Sequence, residues 1–361
     1  MACGGSGGHI FPAIGVAEEI RSRHPDVRIF FACGKKEIEE TIFRGIPEEN
    51  IVEIESAAFE GGRALWRPLF LIKLFRGFMD SRAFLKKEKP GLVAGFGGYF
   101  SFPVVLAAKS LGIRSIVHEQ NVIPGVANKT LARWTDGVAI SFSETQKYLP
   151  RCRVVACTGN PVRSLIEKKC REEAMKYFGF SPQKITALVL GGSQGAESIN
   201  QFFLESLSLL PGRVKDRMQV LHLCGRMLPE EAERLCRSHG VYGKAYSFFD
   251  RMDLVYNAAD FALGRAGATF LAEMESKKIP AILIPYPFAG AHQKENARVF
   301  QQSNPATILE QENVTAQKLA ALIEECVAQA KRQPENGSGV SIPSTPGARV
   351  RLADFMLSFL S

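Results

Sequence analysis

The chain opens with "MACGGSGGHIFPAIGVAEEI" (1–20), a glycine-rich loop that runs into a helical pattern. Four glycines, a serine and His9 run straight into a segment with helical spacing. Ala13, Val16, Ala17 and Ile20 fall on one face of that segment, and Pro12 suits a first helical turn, where its missing N–H costs nothing. Strand, glycine loop, helix is the usual way for a fold to present free backbone N–H groups to an anion. Only Met1, Ala2 and Cys3 precede the glycines, so the strand is nearly absent.

Outward from this stretch, short apolar runs alternate with helical patterns. The expected strands are 28–33, 91–96, 115–119, 137–141 and 153–157 in the first half, then 186–192, 219–225, 260–264 and 281–285. Continuous apolar runs separated by crossover-length segments read as buried parallel strands. "LGGSQGA" (190–196) repeats the opening "CGGSGGH" (3–9) at the first strand of the second half. The reading is α/β, two doubly wound units, with a hinge near "TGNPVR" (158–163) and a linker at 333–347. Two such units facing each other leave a cleft at the carboxyl ends of their strands, where ligands of these folds bind.

The 361 residues, 46% hydrophobic, are enough for two cores, and no apolar run reaches the roughly 18 residues needed to span a bilayer. The eight cysteines contain no C-x-x-C pair, which argues for reduced thiols rather than a disulfide frame or zinc site. The formal charge of +8 is uneven, because residues 63–89 carry eight Arg/Lys against Asp80 and Glu88. The excess therefore needs a local explanation, not a general affinity for nucleic acid.

Glycine turns stand at four strand ends, 4–8, 95–98, 191–195 and 264–267. Glycine there has a purely geometric use, but four at carboxyl ends favour phosphate binding. The dinucleotide fingerprint and the P-loop are both missing, and so is a D-x-D pair for a metal-bound diphosphate. A sugar nucleotide held by amides, with no metal and no cofactor, fits what is left. "HEQNVIPGVANK" (118–129) places His118, Glu119, Gln120 and Asn121 where the chain leaves a strand, as a turn network or a site. Glu273, early in a helix, suits two ribose hydroxyls or simply the helix dipole.

These residues carry a resemblance over essentially the whole chain. In family order stand "GGSGGHIFPAIGVA", "GFGGYFSFPVVLAA", "HEQNVIPGVANK", "TGNPVR", "LGGSQGA", "RAGATFLAE" and "PYPFAGAHQKENA". The chain resembles the MurG family, UDP-N-acetylglucosamine:lipid I N-acetylglucosaminyltransferases of bacterial peptidoglycan synthesis. The resemblance implies a GT-B fold: an acceptor- and membrane-facing domain at 1–160, a UDP-GlcNAc-binding domain at 161–345, and a last helix at 346–361 returning to the first domain. By position, Ser6, Gly7 and Gly8 would line the donor's diphosphate and sugar, and Asn121 would reach the GlcNAc. Arg163 and Ser193 would meet the diphosphate or sugar, and Phe249 sits where main-chain groups read uracil. Ala268, Thr269, Phe270, Leu271, Ala272 and Glu273 would form the phosphate-facing helix start, with Glu273 on the ribose. Gln293 would bond the GlcNAc hydroxyls, and Gly97, Gly98 and Tyr99 would face the acceptor diphosphate.

Two departures from the family pattern stand out. Phe270 replaces a hydroxyl residue beside the α-phosphate; either Thr269 takes over that bond or backbone amides suffice. The strand before the first glycine loop is cut short, which predicts weak anchoring of that loop and a poorly stable protein.

The implied reaction is an inverting displacement in which the C4 hydroxyl of the muramoyl sugar attacks the anomeric carbon and UDP leaves. His9 is the expected base, since its ordinary pKa suits neutral pH; His118 and Glu119 are the reserves. The basic, aromatic stretch 63–89 suits an anionic lipid surface, here the cytoplasmic face of the bacterial inner membrane. Proteins of cell-wall synthesis are further expected partners, and nucleic acid is not one. The rival readings are a UDP-GlcNAc 2-epimerase, a diacylglycerol glucosyltransferase, and a non-catalytic sugar-nucleotide-binding module.

Overall fold

In a computed structural model of the chain, the described residues are 1–34, 39, 42–55, 68–191, 196–287, 292–330 and 347–360, with backbone alone for 68–70. The chain divides into one unit of Met1–Arg163 with Thr345–Ser361, and a second of Ser164–Ser344.

In the first unit, the strands are β1 (Phe31–Cys33), β2 (Ile51–Glu53), β3 (Leu92–Gly95), β4 (Arg114–Glu119), β5 (Gly137–Ile140) and β6 (Val155–Cys157). All pair in parallel, β1 with β2 and β3 through β6 in sequence. The opening residues join the two sets, since Ala2 bridges both Ala32 of β1 and Gly95 of β3. Ala2 N–H donates to Ala94 at 2.7 Å, Cys3 N–H to Ala32 at 2.9 Å, and Phe96 N–H to Ala2 at 2.8 Å. The sheet position expected to be weakly held is thus laced on both sides. Counting Met1–Cys3 as the first strand, the order across the sheet is the doubly wound 3-2-1-4-5-6 with one strand added.

Successive residues of these strands go to opposite faces. Cys3, Phe31, Cys33, Ala94, Ile116 and Ala139 enter one core with Ile10, Val16 and Ile20 of the helix Gly7–Arg23. Ala2, Ala32, Val93, Val117 and Val138 enter the other, with Val104 and Val105 of the helix Gly98–Ser110. Leu352, Ala353 and Met356 of the last helix, Ala348–Leu357, complete the first core. The helix Gly7–Arg23 begins five residues before Pro12, so the proline lies inside it rather than in its first turn. It removes the ladder bond its position would donate to Gly8.

The second unit carries β7 (Ile185–Leu190), β8 (Met218–Leu223), β9 (Tyr242–Tyr246), β10 (Phe261–Gly264), β11 (Ala281–Leu283) and β12 (Ala306–Ile308). They form a parallel sheet in the order β12-β11-β10-β7-β8-β9. This is again the doubly wound order. In each unit the strand order reverses beside the first strand, which is where such folds bind ligands. The glycine turns 4–8 and 95–98 leave that point in the first unit; in the second, 264–267 leaves it beside the end of β7 at Leu190, and 192–195 lie outside the described residues.

Candidate functional site

In the first unit, the glycine loop reaches its helix with Gly5 at φ +83°. Gly5 N–H donates to Glu39 Oε1 at 2.7 Å, and Glu39 is only 2% exposed. Ser6 precedes the helix in extended conformation and makes no side-chain cap, while Gly7 is buried and Gly8 half-buried. His9 follows, half-buried at the start of the helix.

His9 packs on the second glycine turn. A Cβ built on Gly97 (φ +90°) would lie 3.0 Å from Cε1 and Nδ1 of His9, and one on Gly98 (φ +70°) 3.2 Å from Cδ2. A side chain at either position would press on the imidazole as well as strain the backbone. Tyr99, on the same turn, reaches the first glycine loop: a Cβ on Gly5 would be 3.4 Å from its hydroxyl.

A polar network spreads from His9. Its Nδ1 lies 3.2 Å from Gln120 Oε1. Gln120 Nε2 donates to the Phe96 carbonyl at 2.8 Å and lies 3.1 Å from His118 Nδ1. His118 Nε2 lies 3.0 Å from the Gly159 carbonyl. Burial pushes the pKa of His9 down, opposed by the Glu119 carboxylate, by the hydrogen bond to Gln120 and by the nearby Phe96 carbonyl. Burial takes His118 down to about 4, so it is neutral at ordinary pH.

The two reserve bases have other work. Both ring nitrogens of His118 are occupied. Glu119 Oε1 accepts from Asn121 N–H at 2.9 Å and Asn121 Nδ2 at 3.1 Å; Oε2 accepts from Gly125 N–H at 3.1 Å and Asn128 Nδ2 at 2.9 Å. That carboxylate spends its lone pairs on fixing the loop 121–128 and so orients Asn121.

Arg163, at the end of this unit, stacks its guanidinium 4.1 Å from the Phe11 ring centroid. Its buried Nε has no hydrogen-bond partner among the described residues, and neither has either polar atom of the Asn160 side chain. Orphaned polar groups of this kind wait on water or a ligand.

In the second unit, Ser193 falls outside the described residues. The helix Ala268–Lys277 starts after Gly267 with no side-chain cap. Ala268, Leu271 and Glu273 are buried; Thr269, Phe270 and Ala272 are half-buried. Phe270 folds back over the strand end, its ring 3.1 Å from where Gly264 would carry a Cβ. Tyr256 donates its hydroxyl to Glu273 Oε2 at 2.5 Å. Gln293 Oε1 accepts from Tyr286 N–H at 3.0 Å. Arg265 donates to the Ile284 carbonyl at 3.0 Å and to Ser198 Oγ at 2.9 Å, and burial lowers its pKa. The Phe249 ring packs among Tyr177, Phe178 and Tyr246, with centroids 5.7, 5.5 and 4.8 Å away.

The basic stretch forms the helix Pro68–Glu88. Gly77 lets it close on the chain, since a Cβ there would fall 2.0 Å from the Glu55 carbonyl. Ser81 and Leu85 are buried on that side, whereas Leu71, Ile72, Phe75 and Met79 are exposed, Phe75 by 64%. Arg63, Trp66 and Arg67 lie outside the described residues, as does the Phe70 side chain. Among the described residues no helix is long and apolar enough to cross a membrane, and no three His, Cys, Asp or Glu cluster as metal ligands.

The glycosyltransferase family 28 N-terminal domain matches residues 1–140, and the C-terminal domain of the same family matches 186–348. The Halothermothrix orenii UDP-N-acetylglucosamine–N-acetylmuramyl-(pentapeptide) pyrophosphoryl-undecaprenol N-acetylglucosamine transferase is 35% identical over 98% of this chain and 96% of that protein. The Bacillus subtilis protein of the same name is 33% identical over 97% and 96%. The chain belongs to the MurG family. The fold agrees: the crystal structure of Acinetobacter baumannii MurG superposes with a TM-score of 0.70 at 24% identity, over 99% of this chain and 98% of that one. This is the GT-B architecture of two doubly wound units.

For this MurG-family chain, the structure adds residues that sequence reading passed over. Glu39 holds the first glycine loop, Asn128 shares Glu119, and Tyr256 holds Glu273. Glu39 and Tyr256 lie in no glycine motif, and only the fold brings them to their partners. Asn128 lies in the motif 118–129, three residues after Gly125 on the helix Val126–Leu131.

Proposed function

We infer that the chain transfers GlcNAc from UDP-GlcNAc to the C4 hydroxyl of the N-acetylmuramoyl sugar of lipid I, giving lipid II for peptidoglycan synthesis. The observation that carries this is full-length agreement, at about a third identity, with transferases named for that reaction. The likeness to a Listeria monocytogenes structure titled "putative UDP-N-acetylglucosamine 2-epimerase", at 12% identity, extends to the fold alone.

His9 takes the C4 proton as the oxygen attacks the anomeric carbon, and UDP departs from the opposite face, inverting the centre. Charge grows on the departing diphosphate, so donors aimed there hold the transition state more tightly than the ground state. Arg163, the backbone at Ser6, Gly7 and Gly8 and the helix start at Ala268, Thr269, Phe270, Leu271 and Ala272 fill that role, with Ser193. Glu273 takes the ribose hydroxyls, Asn121 and Gln293 the GlcNAc, and backbone near Phe249 the uracil. Gly97, Gly98 and Tyr99 take the acceptor diphosphate. In this reading 1–160 is the acceptor side, 161–345 the donor side, and 346–361 belongs with the first.

Residues 63–89 rest on anionic lipid at the cytoplasmic face of the inner membrane. Each basic group near such a surface contributes about 1 kcal/mol, and the exposed Leu71, Ile72, Phe75 and Met79 offer apolar contact. Proteins of cell-wall synthesis are the further partners of this location. Two measurements test the reading. Radiolabel from UDP-[14C]GlcNAc should appear in a lipid I analogue as a β-1,4 disaccharide; UDP release without a labelled acceptor would refute the acceptor assignment. Phe75→Asp should weaken sedimentation with phosphatidylglycerol vesicles, and unchanged sedimentation would refute the lipid surface.

A further inference from the structure

The reaction requires an unprotonated nitrogen on His9, and a neutral imidazole has two ways to carry its proton. The hydrogen bonds around the ring choose one. Two backbone carbonyls, which can only accept, anchor the argument. The Phe96 carbonyl lies 2.8 Å from one terminal atom of the Gln120 amide, so that atom must be the NH2 and the other the oxygen. The Gly159 carbonyl lies 3.0 Å from His118 Nε2, so that nitrogen carries the hydrogen. His118 Nδ1 is then an acceptor, and it faces the same Gln120 NH2 at 3.1 Å. Both ends agree on the orientation of Gln120. Its oxygen, 3.2 Å from His9 Nδ1, accepts the remaining bond.

We propose that Gln120 is a positioning residue that, held by His118 and the Phe96 carbonyl, keeps the proton of His9 on Nδ1 and so leaves Nε2 as the base. The chain of bonds runs Gly159 carbonyl, His118, Gln120, His9, with every donor matched to an acceptor. The low pKa of His118 keeps it neutral, as this pattern needs. Gln120 is 2% exposed and His118 1%, so water offers neither an alternative partner. A carboxylate could accept from His9 equally well, but could not donate to Phe96 or His118. The amide does both, and it adds no charge beside Glu119.

The proposal rests on His9 being the base, and two readouts separate the two ideas. In 15N-histidine-labelled protein, the His9 nitrogen shifts report the tautomer without any turnover. Wild type should show Nδ1 protonated and Nε2 bare; a ring protonated at Nε2 would overturn the proposal. Gln120→Met keeps side-chain length without polar atoms. It should lose the single tautomer and drop kcat by roughly 10²-fold, the scale of general base catalysis, with the UDP-GlcNAc KM little changed. Gln120→Glu retains an acceptor for Nδ1–H and should recover much of that kcat. Equal kcat for wild type and Gln120→Met would overturn the proposal. A folded Gln120→Met, checked by its amide spectrum, that loses donor affinity instead of kcat would also overturn it. If the tautomer is as stated but His9→Ala turns over normally, the base assignment fails, and the hydrogen-bond chain stands as structure only.

Discussion

Tyr256 donates its hydroxyl to Glu273 Oε2 at 2.5 Å, and both residues are buried, the carboxylate 6% exposed. The bond joins the helix Met252–Ala258 to the first two turns of the helix Ala268–Lys277. It fixes the carboxylate that the ribose is read to meet. A hydrogen bond to a charged group contributes about 2 kcal/mol. Tyr256→Phe should therefore lower unfolding free energy by about that amount and raise the UDP-GlcNAc KM several-fold while leaving kcat near wild type. Urea melts and donor titrations check it, and an unchanged KM would remove Tyr256 from the donor site.

Gly97 holds φ +90° with the His9 ring 3.0 Å from where its Cβ would stand. Gly97→Ala adds backbone strain of about 1–2 kcal/mol and displaces the imidazole. The account expects kcat to fall more than tenfold, roughly the cost of misplacing a catalytic group by a fraction of an ångström. Gly112→Ala, at φ +71° with nothing within 4 Å of the added carbon, provides the comparison. It should match the stability loss and keep kcat.

Glu119 accepts four hydrogen bonds from its own loop. Glu119→Ala strands the N–H groups of Asn121 and Gly125 and leaves the Asn128 amide only the His118 carbonyl, at a cost of about 3 kcal/mol or more. A marked drop in Tm is expected, with raised donor KM through Asn121. A Glu119→Ala protein as stable as wild type but without turnover would instead identify Glu119 as the base.

Burial lowers the pKa of both His118 and His222 to about 4. A histidine that is neutral when folded takes up a proton on unfolding wherever the pH lies between the folded and unfolded values. Stability is therefore full above about 6.5, falls as pH drops below it, and levels off near 4, with each group contributing on the order of 3 kcal/mol. The His9 ring beside His118 lowers its pKa further, whereas His222 bonds Asn200 in the second unit. Urea midpoints at pH 7.5 and 5 should differ strongly in wild type and less in His222→Leu. A wild type with flat stability across this range would contradict the buried neutral state.

The sequence made the middle of each sheet legible and most of its margins illegible, for a physical reason; of the edge strands only β6 was expected, at 153–157. β4, β7, β8 and β10 are covered on both faces and read as continuous apolar runs. β2, β9 and β12 close the sheet edges, are partly exposed, and show no such run. The first strand looked too short to hold its place, because its strength comes from Ala32 and Ala94, far along the chain. In the same way the motifs brought His9, His118, Glu119 and Asn121 to notice, since each stands where a strand ends. Their division of labour was not legible. Which of three polar neighbours is free to move a proton depends on lone pairs already spent, and that is a property of contacts.

Single-turnover transfer from UDP-GlcNAc to a lipid I analogue, with wild type and His9→Ala at saturating donor and acceptor, decides whether His9 removes the C4 proton. The account predicts that His9→Ala binds UDP-GlcNAc normally and slows the chemical step by about 10²- to 10⁴-fold, with the loss growing less steep at high pH, where hydroxide can serve. A His9→Ala enzyme that transfers at the wild-type rate would contradict it.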